Sequence, residues 1–126
     1  MSLASRTAAL RIAQRIAPAT APGDDIIHVL IFANAAGNNI VVPSPNRAFD
    51  VLEIKIWNGV GAQTVQIKDG TLVVLDQMTN MPAPFAYFGG FSGNGQPHYR
   101  ISNGNPLILN LSLGSQIDGF VKYRLR

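Results

Sequence analysis

The chain has 126 residues, with 10 Lys+Arg against 7 Asp+Glu and no cysteine. That length allows one domain with a real core. The missing thiols exclude a disulfide scaffold, a thiolate zinc site and a cysteine nucleophile. The net charge of +3 sits entirely in residues 1–22, which hold Arg6, Arg11 and Arg15 and no acid. Residues 23–126 are neutral: Arg47, Lys55, Lys68, Arg100, Lys122, Arg124 and Arg126 balance Asp24, Asp25, Asp50, Glu53, Asp69, Asp76 and Asp118. Charged residues make up 13% of the chain, against a usual ~25%. So low a content points to a domain that covers much of its outside with other chains.

Residues 2–17 are helix-capable. Ala9, Ile12, Ala13 and Ile16 recur at i, i+3, i+4, i+7 spacing, and Arg11 and Arg15 lie on another face. Pro18 and Pro22 end the pattern. An alanine-rich segment this short is only marginally helical alone, so it is expected to order, as helix or extended chain, when it docks. Arg6, Leu10, Arg11, Ile12, Arg15 and Ile16 are the candidate partner-binding residues of this arm. The arginines interrupt any hydrophobic core of a secretory signal. An Arg-rich, acid-free start also has the composition of an organellar transit peptide, and the docking arm is the preferred reading. The longest apolar runs fall far short of the ~20 residues of a membrane span.

From residue 23 onward the signals are β. Residues 26–34 form a β-branched run, and residues 40–42 follow an Asn-Asn turn. Residues 47–57 alternate, with Val51, Glu53 and Lys55 on one face and Leu52, Ile54 and Ile56 on the other. Residues 62–68 alternate again and lead through Asp69-Gly70, the strongest hairpin signal in the chain, into residues 71–75. Residues 78–84 read as an irregular proline-containing loop. A short aromatic strand over 87–91 opens into a glycine-rich loop, and residues 98–102 form the next strand. Residues 107–113 alternate, with leucines 107, 109, 111 and 113 facing one way, and residues 120–125 close the chain. About eight short strands at ten-residue spacing predict an all-β sandwich of antiparallel strands over 23–126.

Catalytic patterns are sparse. His28 and His98 are seventy residues apart and Glu53 is the one glutamate, so no metal or other cofactor is expected. No serine lies in a G-x-S-x-G elbow. The segment GGFSGNG, residues 89–95, lacks a following Lys-Ser/Thr and leads into a strand, which makes it a loop and not a phosphate cradle. An enzyme is therefore not expected. Nucleic acid is not an expected partner either, because three arm arginines would neutralise only about three phosphates. The rings of Trp57, Phe85, Tyr87, Phe88 and Phe91 are expected mostly in the core. If they were exposed, they would fit a carbohydrate- or receptor-binding module.

The C-terminal half carries a composite pattern. A strand ends in Lys-x-Gly at residues 68–70, and a proline- and glycine-containing segment follows. A G-N-x-L-x-L-x-L strand starts at Gly104, and a final G-x-V-x-Y strand runs from Gly119 to Tyr123. This resembles the jelly-roll head decoration, or cement, proteins of tailed phages over residues 59–126. The resemblance implies a homotrimer on the outer surface of a virion capsid, with the major capsid protein as partner and residues 1–22 as the docking arm.

Overall fold

The computed structural model of the chain describes residues 25–90 and 97–126. The proposed docking residues, from Arg6 to Ile16, and most of the glycine-rich loop lie outside the described residues. Among the described residues nine strands follow in order: β1 (Ile26–Ala33), β2 (Gly37–Val42), β3 (Phe49–Asn58), β4 (Gln63–Asp69), β5 (Val73–Met81), β6 (Phe85–Gly89), β7 (Tyr99–Ile101), β8 (Leu107–Leu111) and β9 (Ile117–Leu125). No helix occurs among the described residues.

All pairings are antiparallel. One sheet has the order β1-β9-β3-β6, with β7 also paired to β3. The other has the order β2-β8-β4-β5. First pairs with last, second with second-to-last, and β4 with β5, so the chain is one long hairpin folded at the β4–β5 turn. Rolling that hairpin into two facing sheets gives the jelly-roll form of the β-sandwich. The strands β6 and β7 share one position in it. β6 runs beside Ile54–Asn58 of β3, and β7 beside Phe49–Val51.

The inner faces interdigitate as the alternation demands. Phe49, Val51, Ile54, Ile56, Val65, Ile67, Leu107, Leu109, Leu111, Ile117 and Val121 are all buried and form one cluster. Each such burial contributes roughly 1.5–3 kcal/mol. The amides of Asn58 and Gln63 are also buried but satisfied. Asn58 donates to the Gly61 and Met81 carbonyls at 3.0 Å each, and Gln63 donates to the Ser115 carbonyl at 2.7 Å. In the turn region, Asp69 accepts hydrogen bonds from the Ser102 amide and hydroxyl and from Asn105, tying the β4–β5 turn to the segment before β8.

Four local expectations are corrected. Val51 does not share a face with Glu53 and Lys55. The β3–β9 register shifts between Val51 and Glu53, and this bulge lets Phe49 and Val51 face inward before it and Ile54 and Ile56 after it. Residues 78–81 are not loop, because β5 continues to Met81 opposite Gln63. Its polar sequence, from Asp76 to Asn80, suits the edge of a sheet and conceals the strand. Leu113 lies beyond β8 and is exposed, while Ile108, on the other face from Leu107 and Leu109, is buried. Finally, Trp57, Phe85 and Phe88 are exposed and not core.

Candidate functional site

The outward residues of β1, β9, β3 and β6 line up in registered rows. One row is Phe32, Asp118, Trp57 and Ala86; the next is Leu30, Phe120, Lys55 and Phe88. A third is His28, Lys122 and Glu53, and a fourth is Ile26, Arg124, Asp50 and Arg100. This face is unusually apolar for an outside. Leu30 is 79% exposed, Phe32 and Ile26 62%, Phe88 48% and Trp57 41%. Its charges lie against the rings: Lys55 Nζ is 5.4 Å from the Phe88 centroid and Lys122 Nζ is 5.7 Å from that of Phe120. Lys122 also pairs with Glu53 at 3.2 Å. An outer face this apolar, with Asp118, Lys55 and Lys122 set among its exposed side chains, is the kind of surface that protein-binding sites present.

One end of the face is built on Asp50, which is fully buried. Arg100 Nε donates to its Oδ1 at 3.1 Å, Arg126 Nη1 to its Oδ2 at 3.0 Å, and Arg124 Nη2 to its Oδ2 at 3.5 Å. Burial pushes the Asp50 carboxyl up, but hydrogen bonds and charges from Arg126 and Arg100 outweigh it and hold the group below the ordinary carboxylate value. The Arg47 guanidinium donates to the main-chain oxygen of Arg126. So the neutral body is not evenly neutral: four of its seven basic side chains gather at one end of one sheet. The sequence carried a trace of this in Lys122, Arg124 and Arg126, which alternate along the last strand. The carboxylate shared by Arg124 and Arg126 was hidden, because Asp50 is distant in sequence and precedes the bulge.

The outer face of the second sheet is different. Asn38, Asn110, Gln66 and Gln77 form an amide row across all four strands. Asn110 donates to Asn38 at 2.7 Å and Gln66 to Gln77 at 2.8 Å. Beside it runs an aliphatic row, Ile40, Ile108, Lys68 and Val74. Ile40 and Val74 are exposed, as are Leu72 and Val73 at the nearby turn.

At the edge where β5 meets β6 and β7, a polar cluster joins the two sheets. Asp76 Oδ2 accepts from the Tyr87 and Tyr99 hydroxyls at 2.9 Å each, and the two hydroxyl oxygens are 2.9 Å apart. His98 Nε2 is 3.4 Å from the Tyr87 hydroxyl. Burial raises Asp76, but the hydrogen bonds from Tyr87 and Tyr99 outweigh it, so its carboxyl lies below the ordinary value. Burial and the neighbouring carboxylate raise both tyrosines. The hydroxyls therefore keep their protons and Asp76 stays ionised near neutral pH. The cluster acts as a strut between the two sheets. Gly89 leaves room for it, since a Cβ there would meet His98 Nε2 at 2.5 Å.

The three residues weighed as metal ligands do not converge. His28 stands edge-on to Phe120, Glu53 pairs with Lys122, and His98 packs on Tyr99 at the other edge. Among the described residues no group of three or more His, Asp or Glu is placed to hold a metal ion. No described helix is long and apolar enough to cross a membrane. No protein-family model, curated protein or solved structure matches the chain.

Proposed function

We propose that this chain is a structural virion protein, a capsid decoration or cement subunit that docks on the outside of a phage head and stabilises its lattice. The observation that carries the reading is the apolar outer face of the β1-β9-β3-β6 sheet. A domain whose core is already filled exposes Leu30 and Phe32 on β1, Trp57 on β3 and Phe88 on β6 on one outer face, and such a face is stable in water only at a cost that a protein partner removes. The partner in this reading is the major capsid protein, reached by the cationic arm of residues 1–22 and by this face. The chemically distinct second face, with its amide row and Ile40 and Val74, is the surface for self-association. A cyclic trimer joins two unlike patches of each subunit, and in this reading the second face supplies one of them. Light scattering on the purified protein tests this: the expected mass is three times the 13.5 kDa chain. A mass of one chain at all concentrations contradicts the trimer.

A second reading, a carbohydrate- or receptor-binding module of a virion, gains from one observation. Trp57 is exposed and shares its row with Asp118 and Phe32. Gln116 donates to both oxygens of that carboxylate. A ring beside hydrogen-bonding groups is a stacking platform for a sugar. Glycan binding that disappears in Trp57→Ala supports this module, and an empty glycan array removes it.

A further inference from the structure

We propose that Arg100, Arg124 and Arg126, fanned over Asp50, form a receptor for a carboxylate on an acidic protein surface. This rests on reading the outer face of the β1-β9-β3-β6 sheet as a docking surface, and it names the chemistry of the partner. Three guanidiniums reach one buried carboxylate. One would satisfy it, and bringing three like charges within reach of the same group costs repulsion that a second anion relieves. Each arginine commits one of its five N–H donors to Asp50. The arginine side chains are nevertheless 31–56% exposed. Asp50 thus acts as an internal brace that fixes the arginines in place, which lowers the entropy cost of binding an outside oxyanion in the bidentate geometry guanidinium favours. Asp25 adds one more acid just before Ile26, the register partner of Arg124.

The surroundings favour a protein carboxylate over a phosphate backbone. The arginines converge on one point and do not follow a track, and backbone binding needs charges spread along the strand. Their neighbours on β1 are the exposed Ile26 and, further along, Leu30. The fitting occupant presents an acidic side chain next to aliphatic ones.

The test is an NMR titration of the full-length protein, following arginine Nε–H signals. Three probes are used: a synthetic peptide rich in leucine and glutamate, the same peptide with glutamine for glutamate, and an oligothymidylate of equal charge. The expected result is a saturable shift of Arg100 and Arg126 with the glutamate peptide, at least tenfold tighter than with the glutamine peptide. Arg124→Gln, the variant at the longest contact, leaves Asp50 paired with two arginines and should weaken glutamate-peptide binding about fivefold at unchanged melting temperature. Equal binding of both peptides overturns the carboxylate receptor while the docking face stands. Binding of neither peptide overturns both. Tighter binding of the oligonucleotide overturns the protein partner in favour of nucleic acid.

Discussion

Gly119→Ala is expected to destabilise the fold by about 3 kcal/mol or more, the upper end of overpacking costs. Gly119 lies on β9, between Ile31 of β1 and Ile56 of β3. A Cβ there would meet the Lys55 carbonyl oxygen at 1.9 Å, its carbonyl carbon at 2.9 Å and the Ile56 Cα at 3.2 Å. These are main-chain atoms in the centre of a sheet, so no side-chain rotation relieves the clash. Alanine must separate β3 from β9, and those strands hold the inner residues Ile54, Ile56 and Val121. Gly104→Ala is the matched control. Its Cβ meets nothing within 4 Å, but its φ of +90° makes a side chain strained by about 1 kcal/mol. Urea unfolding of both variants checks the contrast. A Gly119→Ala midpoint close to the Gly104→Ala midpoint would show that the two strands can part freely.

Asp50→Ala is the second large effect, expected at about 3 kcal/mol. The substitution leaves Arg100, Arg124 and Arg126 without the carboxylate that holds them, on an outer face where they repel each other. The value sits low in the range for a broken buried pair because the arginine ends are partly solvated. The same residue shapes the acid limb of stability. The folded pKa values of Asp50 and Asp76 both lie below the ordinary carboxylate value. Such groups stabilise the fold fully above the unfolded pKa of about 4, and the contribution is lost as pH falls through the lower folded values. The wild type should therefore lose stability steeply below about pH 4. Asp50→Ala, already without one of the two contributions, should lose less over that interval. Parallel curves for the two proteins would remove Asp50 from the acid response.

The all-β architecture was legible because its central strands are regular. Residues 107–111 and 63–67 keep strict alternation, and their inward leucines, valine and isoleucine are the core. Reading failed where local irregularity or an edge intervened. The bulge near Leu52 shifted the phase of β3, so an unbroken period of two placed Val51 on the wrong face. The second half of β5, residues 78–81, read as a loop because an edge strand with one wet side needs little apolar pattern. The aromatic residues read as core because composition says nothing of direction. Trp57 lies between the inward Ile56 and Asn58, and only that phase reveals that its ring faces out. The arginine cluster was the least legible part. Summed over residues 23–126 the charge is zero, while the roll of the hairpin brings β7, β3 and the end of β9 together at Asp50. The pairing of first strand with last sets that distribution, and no local motif reports it.

In the proposed function this jelly roll is an interaction subunit tethered to a protein lattice by its cationic arm. Co-sedimentation of phage capsids with the full-length protein and with residues 23–126 tests it most directly. The predicted result is a truncated protein that keeps its fold and its trimeric mass but loses capsid binding by at least a factor of ten. Full-affinity decoration by residues 23–126 would contradict the claim.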